Sequence, residues 1–118
     1  YKLPKETDAQ KADRKAAIAA AILTATQVPF ETMHVAFEAL GVCGSIVGKS
    51  NPNAASDLGV AALNLLACVR GAWLNVLINL GGVADEAART RFQTEGEKLE
   101  ADAAALADKI FGTVKNSL

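Results

Sequence analysis

Residues 58–80 read LGVAALNLLACVRGAWLNVLINL, and this run decides the fold class. It is long enough to span a bilayer. It nevertheless carries Asn64, Arg70, Asn75 and Asn79, and a central arginine is expensive in lipid. A helix apolar nearly all round is more simply one buried at the centre of a helical bundle. The transmembrane reading is therefore set aside. The abundant alanine and the three prolines, Pro4, Pro29 and Pro52, confined to the first part of the chain, fit a helical protein and not a sheet.

Projected at about 100° per residue, Asp57, Asn64, Asn75 and Asn79 fall within roughly 60° of one another. Cys68 and Gly71 share that strip, and Arg70 points to the far side. Buried amides and carboxylates cost several kcal/mol unless paired, so the strip needs partners. Two readings fit: the asparagines satisfy neighbouring helices, or they line a polar groove for a ligand. From Asp57 to Asn79 the strip is about 33 Å long at 1.5 Å per residue, too long for one small ligand. The better end is Asp57 with the loop Asn51-Pro52-Asn53, where loop groups and free helix N–H donors converge.

Across the whole chain the sequence predicts four helices. Thr7 with Gln10 three residues later is a capping box opening a helix from about Asp8 to about Thr26. Its apolar side holds Ile18, Ile22 and alanines, while Lys11, Arg14 and Lys15 face water. Val28-Pro29 interrupts the pattern, and Pro29 opens a second helix with the stripe Phe30, Met33, Phe37, Leu40 and Val47. Gly48 to Asn53 is the clearest loop, and Ser56 or Asn53 caps the third helix. Gly81-Gly82 closes that helix and Asp85 caps the fourth. There Phe92, Leu99, Ala103, Leu106, Ile110 and Val114 form a packing seam. Gly41, Gly44 and Gly48 suggest close helix approach.

The remaining features mostly exclude. Twelve basic and thirteen acidic residues leave a formal net charge of −1, so no electrostatic footprint marks a nucleic acid or an anionic membrane as partner. Cys43 and Cys68 have no Cys-x-x-Cys spacing and His34 is the sole histidine, which argues against a structural metal site. Both cysteines read as reduced, small apolar fillers. His34, between Phe30 and Phe37, reads as a packed or surface residue, and Trp73 as core or interface. Cys43 stands where the first glycine of a phosphate-binding loop ending Gly48-Lys49-Ser50 would be, so that motif is excluded. No signal peptide opens the chain, and a cytoplasmic location is expected.

Taken in order, Leu3-Pro4-Lys5, Val28-Pro29, Asn51-Pro52-Asn53-Ala54-Ala55-Ser56-Asp57 and Leu74-Asn75-Val76-Leu77-Ile78-Asn79-Leu80 resemble the cyclodeaminase/cyclohydrolase family of folate enzymes. The resemblance runs over nearly the whole chain. It implies an all-α bundle that forms a homodimer, a one-carbon folate substrate, and no metal or cofactor beyond that tetrahydrofolate substrate. The family's glycine-rich N-terminal segment is absent. Residues 1–118 are therefore expected to be one helical domain, incomplete at its N-terminus, with its bundle completed by further helices and a dimer partner. Ser50 and Leu77 depart from the family pattern, which has a glycine before Asn-Pro-Asn and commonly a basic residue at the second position.

The activity this implies is methenyltetrahydrofolate cyclohydrolysis, with formiminotetrahydrofolate cyclodeamination as the alternative. A non-catalytic helical interaction module, using the asparagines only to fix helix register, is the alternative outside enzymology. In the family frame Asp57 stabilises the substrate cation and takes a proton from water, and Lys5 donates a proton or anchors an anion. Asn53, Ser56 and Asn75 hydrogen-bond the pterin or the one-carbon group, with Tyr1 and Asn79 as neighbours. The joint role of Lys5 and Asp57 requires that the fold bring them together.

Overall fold

The computed structural model describes all 118 residues. It is all-helical, with three long helices instead of the expected four: α1 (Asp8–Ile46), α2 (Ala55–Leu80) and α3 (Glu86–Ser117). A short 3-10 turn, Pro52–Ala54, leads into α2. The break expected at Val28-Pro29 does not occur, because α1 runs through Pro29. A proline inside a helix removes the N–H that would bond the carbonyl four residues earlier, here Ala25. That carbonyl instead accepts from the Asn79 side-chain amide of α2 at 3.3 Å. A donor far away in sequence thus offsets part of a local defect.

The helix ends follow side-chain chemistry where it exists. The Thr7/Gln10 capping box forms on α1, with the Thr7 Oγ1 accepting from the Gln10 N–H at 3.1 Å. Asp85 caps α3 by accepting from the Ala87 N–H at 3.0 Å. The cap of α2 differs from expectation. Ala54 occupies it without a side-chain bond, while Asn51 caps the 3-10 turn by accepting from the Asn53 N–H at 3.0 Å. The 3-10 turn already engages the loop backbone, so neither Asn53 nor Ser56 is placed to cap. Gly48 takes a φ of 79° just after α1, a left-handed conformation that glycine reaches at no steric cost.

The core is one cluster drawn from all three helices, with Phe30, Met33 and Leu40 of α1 against Val69 and Val76 of α2 and Phe92 and Ile110 of α3. Phe30 and Phe92 meet edge to face at 5.1 Å, a favoured aromatic geometry. Close approach uses small residues. A Cβ on Gly96 would lie 2.1 Å from the Trp73 ring, and one on Gly44 would lie 3.2 Å from Leu106. Gly41 has no neighbour within 4 Å, so it has no such role. Thr26 is the one buried polar residue and donates to the Ile22 carbonyl of its own helix at 2.8 Å.

The molecule is drawn out to 67 × 24 × 16 Å with a radius of gyration of 19.4 Å, whereas a compact chain of this length reaches about 13–14 Å. The extension leaves α2 less enclosed than its composition suggests. Its inner face is buried, but Ile78 is 82% exposed and Leu74 66%. On α1, Val28, Val35 and Val42 are likewise exposed. By length and apolarity alone, both α1 and the segment Pro52–Leu80 would cross a membrane. Arg70 of α2 forms an ion pair with Glu100 of the more polar α3, at 2.8 Å.

Candidate functional site

The α1–α2 pair leaves a furrow on its open side, continuous because neighbouring hollows share residues. The largest hollow, about 570 Å³, lies beside Pro29 and takes in Thr32, Cys68, Asn75 and Asn79. Toward the chain start a hollow of about 340 Å³ shares Ala25 and Asn79 with it and adds Tyr1, Leu3 and Ile18. In the other direction one of about 450 Å³ shares Val28, Thr32 and Cys68 and adds Val35 and Leu65. Aliphatic side chains alternate with polar groups from both helices, Glu31 and Thr32 on α1 and Asn75 and Asn79 on α2.

The polar strip read from the sequence therefore borders this furrow over its second half. Its residues are open and not enclosed: Asn64, Cys68, Gly71 and Asn75 are exposed, and only Asn79 is half-buried. The expectation of buried amides fails because no helix covers this face of α2. Cys68 is likewise no apolar filler, since its thiol is exposed at the junction of two hollows. The Asn79 amide donates to the Ala25 carbonyl and, at 3.0 Å, to the Asn75 carbonyl.

The proposed site residues fall into three groups. Tyr1, Asn75 and Asn79 line the furrow. Asn53, Ser56 and Asp57 sit together, exposed, at the other end of α2. Near them a hollow of about 180 Å³ is formed by Ser50, Asn51, Leu58, Thr113 and Ser117, but none of the three lines it. Lys5 stands apart, beside Lys11, Arg14 and Lys15 on the first turns of α1, around a shallow hollow of about 280 Å³. Along α1, the stretch next to Lys5 lies roughly 45 Å from the Val47 end where α2 begins, at about 1.5 Å per residue. Within one chain, Lys5 and Asp57 do not meet.

Two features went unread in the sequence. The cationic cluster was divided between a lysine of interest and three solvated neighbours, although i, i+3 and i+4 spacing puts Lys11, Arg14 and Lys15 side by side. Arg14 also stacks over the Tyr1 ring at 5.7 Å. Pro29, expected to open a second helix, instead lies within α1 and lines the largest hollow of the furrow. His34 is half-exposed, packed edge-on to Phe30 at 4.8 Å and 4.0 Å from a Glu95 carboxylate oxygen. No group of three or more His, Cys, Asp or Glu side chains is placed to hold a metal ion.

The family profile described as formiminotransferase-cyclodeaminase matches residues 1–98. The chain belongs to that family. A family relative from Methylorubrum extorquens, a methenyltetrahydrofolate cyclohydrolase, is 42% identical across all of this chain, which corresponds to 57% of the relative. The formimidoyltransferase-cyclodeaminase of Sus scrofa is 34% identical over 92% of the chain and 21% of the pig protein. The chain thus spans little more than half of the bacterial relative and about a fifth of the pig one.

Proposed function

We propose that this family member acts as a methenyltetrahydrofolate cyclohydrolase, converting 5,10-methenyltetrahydrofolate and water to 10-formyltetrahydrofolate. The observation that carries the reading is the unbroken likeness of the whole chain to a cyclohydrolase. The furrow supports it, being aliphatic on its walls and edged by carboxamides at Asn75 and Asn79.

In this reading water adds to the cationic carbon between N5 and N10, with Asp57 stabilising the cation and taking the proton. The carbon–N5 bond then breaks as N5 is protonated, leaving the formyl group on N10. Lys5 supplies that proton or holds an anionic part of the substrate. Asn53, Ser56 and Asn75 hydrogen-bond the pterin or the reacting group. Asn75 lies roughly 27 Å along α2 from Asp57 and Lys5 lies at the far end of α1, so a joint role for Lys5, Asp57 and Asn75 on one substrate requires a second copy, or another segment, to bring them together. In this reading that second copy is a homodimer partner, which would also cover the exposed apolar side of α1 and α2, where Leu74 and Ile78 face outward. The protein is proposed to work in the cytoplasm, away from membrane and nucleic acid, without metal or further cofactor.

The likeness to the pig enzyme supports a second reading, formiminotetrahydrofolate cyclodeamination, in which ring closure expels ammonia. The deciding assay follows loss of methenyltetrahydrofolate absorbance with the full-length protein. Decay faster than the spontaneous rate, abolished by Asp57→Asn, is expected. No acceleration by folded protein removes the reading, and ammonia release from formiminotetrahydrofolate then tests the second.

A further inference from the structure

We propose that Asn79 presents its side-chain oxygen as a hydrogen-bond acceptor in the furrow, for an N–H donor edge of a flat nitrogen heterocycle. Both amide hydrogens of Asn79 are committed, one to the Ala25 carbonyl at 3.3 Å and one to the Asn75 carbonyl at 3.0 Å. Both neighbours are carbonyl oxygens, which only accept, so the nitrogen must face them and the amide cannot be flipped. Oδ1 is then the one open hydrogen-bonding atom of the side chain. Asn79 also lines both the hollow of about 570 Å³ and the one of about 340 Å³, so its side chain stands where they join.

Pro29 explains why the Ala25 carbonyl is open to a side-chain donor. It leaves the Ala25 carbonyl without its helical donor, and the Asn79 amide takes that donor's place. The same interaction that repairs α1 therefore fixes the polarity of the furrow. A free carboxamide shows a ligand either face, whereas this one selects donors. The inference rests on the folate reading for the identity of the heterocycle, because a pterin carries such donors at its 2-amino group and N3.

The test separates repair from recognition. Pro29→Ala returns a backbone donor to the Ala25 carbonyl, so substitutions at Asn79 are compared within that background. Binding of 5-formyltetrahydrofolate, a stable pterin-bearing probe, is measured by calorimetry on the full-length protein, and thermal melting reports folding. Asn79→Leu is expected to raise Kd about five- to ten-fold, the effect of one neutral hydrogen bond, in a protein that melts like its Pro29→Ala parent. Asn79→Ser, whose hydroxyl can donate to the Asn75 carbonyl and still accept from the ligand, is expected to recover part of that loss. An unchanged Kd in Asn79→Leu, or an equal rise in both variants, overturns the proposal, as does failure of the unmodified protein to bind the probe. Binding that depends on Asn79 in a protein without cyclohydrolase turnover removes only the proposed reaction. Turnover with binding indifferent to Asn79 removes only this inference.

Discussion

Gly96→Ala isolates the contact that seats α3 against α2. Gly96 is buried in α3, and a Cβ built there would lie 2.1 Å from one Trp73 ring carbon and 2.7 Å from two others. No flexible chain end is available to move aside, because the ring is rigid and partly buried in the core. Two effects of opposite sign compete. Alanine is favoured over glycine in a helix interior by about 1 kcal/mol, and overpacking costs about 1–3 kcal/mol. Three ring atoms lie inside any tolerated contact distance, which places the clash at the upper end, so a net loss of roughly 1–2 kcal/mol is expected. For a chain of this size that lowers the melting temperature by roughly 4–8 °C. Gly112→Ala in the same helix and Gly41→Ala in α1 meet nothing within 4 Å, and each is expected to leave stability unchanged or raise it. Melting of the three variants, followed by circular dichroism, provides the comparison. If Gly96→Ala melts as high as Gly112→Ala, Trp73 does not pack over Gly96 and the α2–α3 seam is wrongly drawn.

Other perturbations address separate parts of the structure. Asp85→Ala removes the cap on the Ala87 N–H and should cost about 1 kcal/mol in urea unfolding, with Asp85→Asn or Asp85→Ser restoring most of it. Arg70→Ala breaks the pair with Glu100, but both side chains are partly solvated. A loss of less than about 1 kcal/mol that shrinks with added salt is therefore expected in the same experiment. Asp57 is exposed and makes no ion pair, so Asp57→Asn should abolish turnover while leaving the melting temperature within a degree or two of the parent's.

The helical class, the core stripes of α1 and α3 and the caps at Thr7 and Asp85 were legible because each depends on residues close in sequence. Phe30, Met33 and Leu40 lie on one side by spacing alone, as do Phe92, Leu99, Ala103 and Ile110, and all are buried. Pro29 misled for the complementary reason. Its missing N–H leaves the Ala25 carbonyl to a donor on Asn79, which local pattern cannot link to it. The helix α2 misled as well, since its apolar outer face reads the same whether a neighbour covers it or not. Asn75 and Asn79 were correctly grouped with Cys68 on one strip, a result of helical periodicity. Placing Lys5 beside Asp57 required tertiary distance, and the antiparallel course of α1 and α2 puts them at opposite ends.

The uneven burial of α1 gives a single continuous helix two regimes of motion. None of its buried residues precedes Thr26, and from there to Leu40 they recur every three or four residues. Amides in the turns after Asp8 are held only by the helix's own bonds, so their protons exchange with solvent through local fraying. Amides between Phe30 and Leu40 open only when the core comes apart. Pro29, which has no amide proton, falls near the boundary. The first turns of α1, with Lys11, Arg14 and Lys15, thus form a charged arm whose order is set independently of the body that carries it.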